Sequence, residues 1–556
     1  MVYQARLFRL IIPAHPRPSS SDQIMRQSTS LGPILMASAA AQLPGWNVEV
    51  IDENNCARRH WPPQTNNGRL DHEILQQRCP AAIVGFYAGL SSTIPRVYEL
   101  AKLYRQAGAF TVAGGYHARA LPEDLIHHGL DAVAMSIANS EKIIAELLKQ
   151  YDLFLTHCPV PPYLSEWDKY QEALTDQPPN HLAQWIEWRN EYLAAVPGLM
   201  WRKDDARTYS IIITNPIGPL EATETDRCPK QLLPDFGLLH YARLKVFPIQ
   251  WRRGCHRRCE SCVVREKPNS ARAEDLLATV KHCFENFQAT RFFIVDDCFG
   301  GNLNLANERT ELIEALRLLV DYQKEISRRL KFTVQIGLNT IEDNEVTELM
   351  RQAGITNVCI SYQVLLSEKM KVTRREYLML YRTKKWRQAG FSVQAMYIFN
   401  YPEETGSIAE LERFQPLSHR VKKVMKFVQE EMPRLKQDRG LSVKKQVVAI
   451  GKWFRKAGVN SLRVSLAVPL PGSDLRKRLE QEKRLLPFKE NGWEYYDGQF
   501  PLYQPEDCSP EELLEGLQAV QNGFAGWIRF LRPSFYRRRP PTEFLAKLKR
   551  ARESAH

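Results

Sequence analysis

The chain has 556 residues, 44% of them hydrophobic and 25% charged, enough for two or three domains with ample core. No apolar run reaches membrane-spanning length, and the N-terminus lacks a basic region followed by a long apolar stretch, so neither a transmembrane span nor a secretory signal is expected. The 11 cysteines, odd in number and mostly scattered, argue against a disulfide framework and for reduced thiols in the cytoplasm, and the formal net charge of +13 suits an anionic partner.

Residues 1–150 read as alternating strands and helices. Leu7 to Ile12 is a strand, Pro33 to Ala41 a helix with small residues for close packing, and Val48 to Ile51 a second strand. Ala81 to Phe86 is a near-continuous apolar run, as expected for a strand buried on both faces. Pro95 to Gln106 follows a 3.6-residue period. Phe110 to Ala113 is a strand ended by Gly114 and Gly115; Ala132 to Met135 and Glu141 to Leu148 close the series with a strand and a helix. Five strands with helical crossovers predict a doubly wound, Rossmann-like parallel domain whose ligand edge lies at the carboxyl ends of its strands. Two loops fall there. Gly89-Leu90-Ser91-Ser92-Thr93 opens a helix, where hydroxyls and N–H groups can hold polar ligand groups. Gly114-Gly115-Tyr116-His117-Ala118 has paired glycines, which let a bulky planar ligand lie close to backbone.

In order and context these loops, within GLSSTIPRVYELAKLYRQAG and VAGGYHARALPEDL, resemble the cobalamin-binding domain found N-terminal to many radical S-adenosylmethionine (SAM) enzymes. The resemblance implies cobalamin contacts from Ser91, Ser92, Thr93, Gly114, Gly115 and His117. Two departures follow from the text of the chain. No Asp-x-His-x-x-Gly occurs in the domain, which implies base-off cobalamin with no histidine as lower ligand. Ser136-Ile137-Ala138-Asn139-Ser140-Glu141 stands where the family has a Gly-Glu-Gly-Glu turn. A domain that keeps this fold without the corrinoid is the alternative.

Residues 151–240 read as a connector, broken by Pro159, Pro161, Pro162, Pro178 and Pro179. Trp185, Trp188 and Tyr192 recur at helical spacing as a core stripe. Val196 to Arg202, with Leu233 to Phe236, resembles the linker this family wraps between its domains, a structural job.

From Lys245 onward the pattern is strand then helix, with strands at Val246–Gln250, Arg291–Val295, Phe332–Ile336, Val358–Tyr362, Ser392–Phe399 and Leu462–Val468. The first strand delivers Cys255, Cys259 and Cys262 at i, i+4 and i+7. Three thiolates can hold three corners of a four-iron cluster and leave the fourth iron open to chelate a substrate. Arg252, Arg253, Arg257 and Arg258 crowd the loop and would lower the thiol pKa values. A closed structural zinc site completed by His256, His282 or Cys283 is the other reading, although no second CxxC-like pair exists. The spacing resembles the CxxxCxxC loop of the radical SAM enzymes. That implies a [4Fe-4S] cluster on Cys255, Cys259 and Cys262 that binds SAM and cleaves it reductively to a 5′-deoxyadenosyl radical.

Six strand–helix units match the open (β/α)6 partial barrel of that family, here residues 241–475. Strand ends carry its further motifs. Asp296-Asp297-Cys298-Phe299 resembles Asp-Asp-x-Phe near the SAM amino group, and a helix-capping pair is the plainer reading; Asn302 is an equal candidate to cap the next helix. Asn339, and Gln363 in place of the family's Glu, are the other expected SAM contacts. Asn400 to Thr405 resembles Gly-x-Pro-x-Glu-Thr, and Pro469 to Ser473 resembles Pro-x-Pro-Gly-Thr. An insertion at about 417–456 is basic, with 12 Lys or Arg against 3 acids from Arg420 to Lys456, and its apolar stripes are expected to cover the barrel.

Residues 476–556 read as a helical basic cap. Pro510 to Phe530 is helical with Ser509 as its cap, and Trp493, Tyr495, Tyr496 and Tyr503 are either core or pocket lining. The resemblance as a whole implies a cobalamin-dependent methyltransferase acting on an unactivated carbon. A non-methylating radical cyclisation, rearrangement or oxidation on the same scaffold is the alternative, and a zinc-bearing nucleic-acid adaptor a distant third. The expected partners are a small-molecule, lipid or peptide substrate and an electron donor such as flavodoxin or ferredoxin. The basic segments suit an anionic or membrane-surface partner.

Overall fold

The computed structural model describes residues 6–17, 27–56, 62–66, 68–137, 140–157, 180–203, 211–216, 232–264, 266, 268–269, 272–362, 374–399, 443–506, 508–526 and 542–553. The chain divides into two compact units, residues 1–248 with 281–289, and residues 249–280 with 290–556.

The first unit is built on one eight-stranded sheet. Its strands are β1 (Leu7–Ile12), β2 (Asn47–Asp52), β3 (Ile83–Tyr87), β4 (Phe110–Gly114), β5 (Ala132–Ala134), β6 (Leu199–Lys203), β7 (Ile211–Thr214) and β8 (Leu239–His240), in the order β7-β6-β5-β4-β3-β1-β2-β8. The first five pair in parallel. Winding reverses at β1, so the crevice outside the carboxyl ends of β1 and β3 is the topological switch point of the sheet. The stretch read as a connector supplies three more strands: β6 antiparallel to β5, β7 antiparallel to β6, and β8 parallel to β2. The sheet is therefore mixed rather than wholly parallel. Apolar content explains the recruitment, since Leu199, Met200 and Trp201 are all buried, and Trp201 gives its indole N–H to Asn215 Oδ1 at 3.1 Å.

A charge is buried within this sheet. Arg9, fully enclosed, donates to Glu49 Oε1 at 2.6 Å, Gln76 Oε1 at 2.8 Å and the Cys79 carbonyl at 2.7 Å. A buried cation persists only when paired this fully; removing Glu49 would strand it.

In the second sheet, β9 (Phe247–Ile249), β10 (Arg291–Ile294), β11 (Lys331–Gln335), β12 (Ile355–Tyr362), β13 (Ser392–Phe399) and β14 (Ser461–Leu466) lie side by side in chain order. The four pairs from β10 to β14 are parallel. Helices Ala306–Glu325, Asn344–Gln352, Arg374–Gln388 and Val443–Ala457 make the crossovers among them. A parallel sheet covered on both faces is buried continuously along each strand. Here burial alternates: Val393, Ala395, Tyr397 and Phe399 of β13 are buried, and the residues between them are not. Helices cover one face, where Tyr362 and Tyr397 pack on Phe454 of the Val443–Ala457 helix. The opposite face presents polar side chains, among them Thr333, Gln335, Gln394 and Arg463. Beyond β14 the edge is sealed by a loop, with Leu466 N donating to Gly498 O at 2.7 Å and Gln499 Nε2 to Val464 O at 3.2 Å.

Ser509 caps helix Pro510–Ala525 as expected, in a full capping box with Glu512. That helix lies tightly on Val443–Ala457: a Cβ at Gly451 would overlap the Val520 carbonyl. Trp453 and Phe454, from the stripe assigned to the basic insertion, are buried. Trp493, Tyr495, Tyr496 and Tyr503 are core residues, exposed by 9% or less, and Tyr495 packs edge-on against Phe500 and Phe544. Gln363, the Asn400–Thr405 motif, residues 401–442, Trp527, Phe530 and the arginine-rich stretch before Pro540 lie outside the described residues. Among the described residues no helix is long and apolar enough to cross a membrane.

Candidate active site

The loop after β9 begins at Gly254, whose φ of 94° is open to glycine and costly for other residues. It presents Cys255, Cys259 and Cys262 as partly exposed thiols outside any disulfide. Two backbone N–H groups point at sulfur, Arg257 N at Cys255 and Val264 N at Cys262, both at 3.4 Å. The base of the loop is closed by Cys255 N to Glu266 O at 3.1 Å and by Arg253 N to Asn269 Oδ1 at 2.7 Å.

Two carboxylates grip the loop. Glu308 Oε2, on helix Ala306–Glu325, accepts from Asn302 N at 2.6 Å, His256 Nε2 at 3.0 Å and Arg252 Nη1 at 3.3 Å. A Cβ at Gly301 would overlap that oxygen, so the glycine clears room for the contact. Arg252 is buried and stacks 4.4 Å from the Trp251 ring. On the other side, Glu260 binds Arg478 at 2.6 and 3.2 Å. Nothing local in the sequence pairs residues so distant, and both carboxylates escaped the sequence reading.

Of the three side chains considered as a fourth ligand, His256 faces Glu308, His282 bonds the Pro234 carbonyl at 3.1 Å, and Cys283 is fully buried with burial pushing its thiol up to about 12. Cys298 is nearer in electrostatic terms, since it senses both Arg257 and Cys255. Burial pushes it up to about 11, so it stays a thiol at neutral pH. Among the described residues no three His, Cys, Asp or Glu side chains converge on one ion position. Three separate sulfur donors with backbone N–H groups aimed at them fit an iron–sulfur cluster, in which each thiolate binds its own iron.

Asp296 and Asp297 follow β10, and neither caps a helix: the next one begins at Ala306, after Leu305. Asn302 does not cap it either; its Oδ1 accepts from Asn304 N at 3.2 Å. Asp296 is buried and takes the Trp251 N–H on Oδ1 at 2.8 Å, while its Oδ2 is buried with no hydrogen-bond partner. Burial pushes Asp296 up to about 7 against the lowering effect of the Trp251 and Arg252 N–H groups. Burial, then the Glu266 charge, raises Asp297 to about 6. A cationic ammonium is the ligand that such a pair of strained carboxyls would welcome. Gln335 bonds the Asp297 carbonyl at 2.9 Å, and Asn339 lies in the short helix Leu338–Glu342, its Oδ1 close over Gly337.

In the first unit, the loops after β3 and β4 meet at the carboxyl edge. His117 Nδ1 and Ser91 Oγ lie 2.9 Å apart, both buried, and Thr93 Oγ1 donates to Leu90 O at 2.9 Å. These side chains serve each other, so a planar ligand on this edge would meet backbone and Leu90, which is 45% exposed. A Cβ at Gly115 would stand 2.6 Å from Gly89 N, which shows that the glycine serves the approach of the two loops. A cavity of about 420 Å³ opens along the same edge, lined by His15, Glu53, Cys56, Ser92 and Arg96 among others. Burial raises Glu53, but His72 and Arg96 outweigh it and hold the carboxyl at about 2.

No family model matches the chain. Over 174 residues it is 24% identical to the hopanoid C-2 methylase of Rhodopseudomonas palustris, covering 30% of this chain and 32% of that protein. Over 162 residues it is 24% identical to a methyltransferase of Synechocystis, covering 28% and 29%. The matches thus span about a third of these relatives' length. Its fold is similar to that of the cobalamin-dependent S-adenosylmethionine radical enzyme OxsB with aqua-cobalamin and S-adenosylmethionine bound, at a TM-score of 0.55 and 13% identity, over 100% of this chain and 71% of that one. The apo form of the same enzyme gives 0.55 and 12%. In sequence and in fold, the chain resembles the cobalamin-binding, radical SAM methyltransferase-like family.

Proposed function

We propose that this chain is a cobalamin-dependent radical SAM enzyme that methylates an unactivated carbon. The observation that carries this is the loop after β9: three partly exposed cysteines outside any disulfide, two with backbone N–H groups aimed at sulfur, held between Glu308 and Arg478. Cys255, Cys259 and Cys262 would hold the cluster. When bound, the cluster and cobalamin supply reductive SAM cleavage and methyl carriage, chemistry that no side chain can perform. The residues of the chain do the rest. Asp296 and Asp297 offer negative charge to the SAM ammonium, with Asn339 and Gln363 as further contacts. Arg252, Arg257 and Arg258 offset the charge of the thiolates. The sheet of the second unit serves as the open partial barrel of this family, with strands in chain order and, among the described residues, one face clear of helices. The carboxyl edge around Ser91, Ser92, Thr93, Gly114, Gly115 and His117 would carry the corrinoid, largely on backbone. The hopanoid methylase likeness supports a methyl-transferring outcome over other radical reactions.

Anaerobic reconstitution of the whole chain tests this reading. Four irons and four sulfides per chain, bound corrinoid and release of 5′-deoxyadenosine are expected. Product mass raised by one methylene unit marks methylation, and unchanged product mass with 5′-deoxyadenosine release rejects it. Release that survives Cys259→Ala rejects the cluster assignment.

A further inference from the structure

The face of the second sheet that, among the described residues, no helix covers carries an unusual charge. On β14, Arg463 projects to the same side as Ser461 and Ser465, opposite to the buried Val464 and Leu466. Its register partner is Met396, which in turn faces Ser361 across β12. One layer below, Gln335, Cys359, Gln394 and Ser461 align across four strands. No Asp or Glu lies on this face of β10 to β14; its charged residues are Arg291 and Lys331, at the amino-terminal ends of their strands, and Arg463. The Arg463 guanidinium has no carboxylate or hydrogen-bond partner among the described residues. Its side chain is exposed, yet desolvation lowers its pKa, with the Cys359 thiol as the opposing influence.

With no carboxylate on this face to pair it, the Arg463 guanidinium is available to an anion from solution. Guanidinium offers five N–H donors in a planar fork that matches carboxylate and phosphate oxygens. Elsewhere in this unit more enclosed arginines hold carboxylates, as Arg252 holds Glu308 and Arg382 holds Glu342. Serines and glutamines around Arg463 can complete the hydrogen bonding of an oxyanion while adding no competing negative charge.

We propose that Arg463 is an anion-binding residue on the open face of the six-stranded sheet, receiving a carboxylate or phosphate group of a bound small molecule. Two sources carry that chemistry: the methionyl carboxylate of SAM, or an acidic group on the second substrate. Only the first of these rests on the radical SAM reading. The polarity of the sheet accommodates either, with Asp296 and Asp297 at the end of β10 and the cation four strands away on β14.

Equilibrium dialysis separates the sources. The full chain, Arg463→Gln and Arg463→Lys are each measured with inorganic phosphate, with and without reconstitution, and with SAM after reconstitution; iron content reports separately on the cluster. A fall of about ten- to a hundred-fold in affinity for one probe in Arg463→Gln, largely recovered in Arg463→Lys, is expected from losing a charge-assisted contact. Loss for SAM assigns the methionyl carboxylate. Loss for phosphate with SAM binding intact assigns an acidic substrate. Binding of both probes within two-fold of the parent overturns the proposal, whatever the iron content.

Discussion

Glu260 and Arg478, 218 residues apart, form a two-pronged ion pair at 2.6 and 3.2 Å, and the Glu260 carbonyl also accepts the Leu475 N–H at 3.0 Å. Glu260 lies between the second and third cysteines; Arg478 lies on helix Asp474–Gln481, which follows the last strand. The two ends of the six-stranded sheet are not bonded to each other as strands, yet the loop after the first strand is tied to the helix after the last. Both side chains are partly exposed, Arg478 at 40% and Glu260 at 32%, so the pair itself is worth about 1 kcal/mol or less. Its larger effect is on order. Glu260→Gln or Arg478→Ala should leave the melting temperature within a few degrees and speed iron loss to a chelator several-fold. The double reversal Glu260→Arg, Arg478→Glu should recover most of the retention. Equal rates in all four proteins would show that the pair does not steady the loop.

Cluster ligation is distinguishable from mere proximity at Cys298. Cys255→Ala, Cys259→Ala and Cys262→Ala should each abolish iron and sulfide incorporation. Cys298→Ala should retain both, because burial keeps that thiol protonated and its Sγ–H is directed at Gly301 O at 3.7 Å. The measurement is iron and sulfide per chain with the visible absorption band. Loss of the band in Cys298→Ala would make it a fourth ligand and leave no open iron.

Much of this arrangement could be read from the chain, and what could not has physical reasons. Five parallel strands were legible because apolar runs such as Ala81–Phe86 end at glycine turns. Ser509 was legible because a cap acts within one helical turn. The three strands after residue 198 were not: β8 is two residues long, and its pairing with β2 bridges nearly 200 positions. The glycine pair at 114–115 pointed correctly to a close approach, but the partner brought close is the backbone of Ala88 and Gly89. Asp296 and Asp297 looked equally like caps, since a carboxylate before a helix carries the same letters whatever it faces. Glu308 and Arg478 lay outside every motif, and only the folded chain brings them to the cysteines.

The raised carboxyls after β10 set a pH dependence. Asp296 titrates at about 7 and Asp297 at about 6 in the folded chain, against an ordinary value of 3.8. Between roughly pH 4 and 7 the folded state therefore binds more protons than the unfolded one. Stability of the cofactor-free protein should fall as pH rises through that window and level off above it. Asp297→Asn should flatten the fall between about pH 4 and 6, leave the part above pH 6 to Asp296, and stabilise the protein at pH 7.5, as chemical denaturation at a series of pH values would report. A cationic ligand reverses the balance: SAM affinity should rise from pH 5.5 to 7.5 in the parent and do so less in Asp297→Asn. A pH-independent affinity in both would remove these carboxyls from the ammonium site.

The edge of the first unit yields the last test. Gly115 has a φ of 127°, and a Cβ there would lie 2.6 Å from Gly89 N and 2.8 Å from the Ala88 carbonyl carbon. Backbone cannot swing aside as a side-chain tip can, so Gly115→Ala must part the loops after β3 and β4 and stretch the Ser91–His117 contact. Overpacking of this kind costs about 1–3 kcal/mol. Ser91→Ala removes that contact without the clash and should cost about 1 kcal/mol. If the corrinoid rests on the backbone of this edge, Gly115→Ala loses bound corrinoid while keeping its iron, and Ser91→Ala keeps both. Corrinoid lost equally in the two variants would mean that the hydroxyl, and not the backbone, carries the ligand; corrinoid kept in both would place the ligand elsewhere.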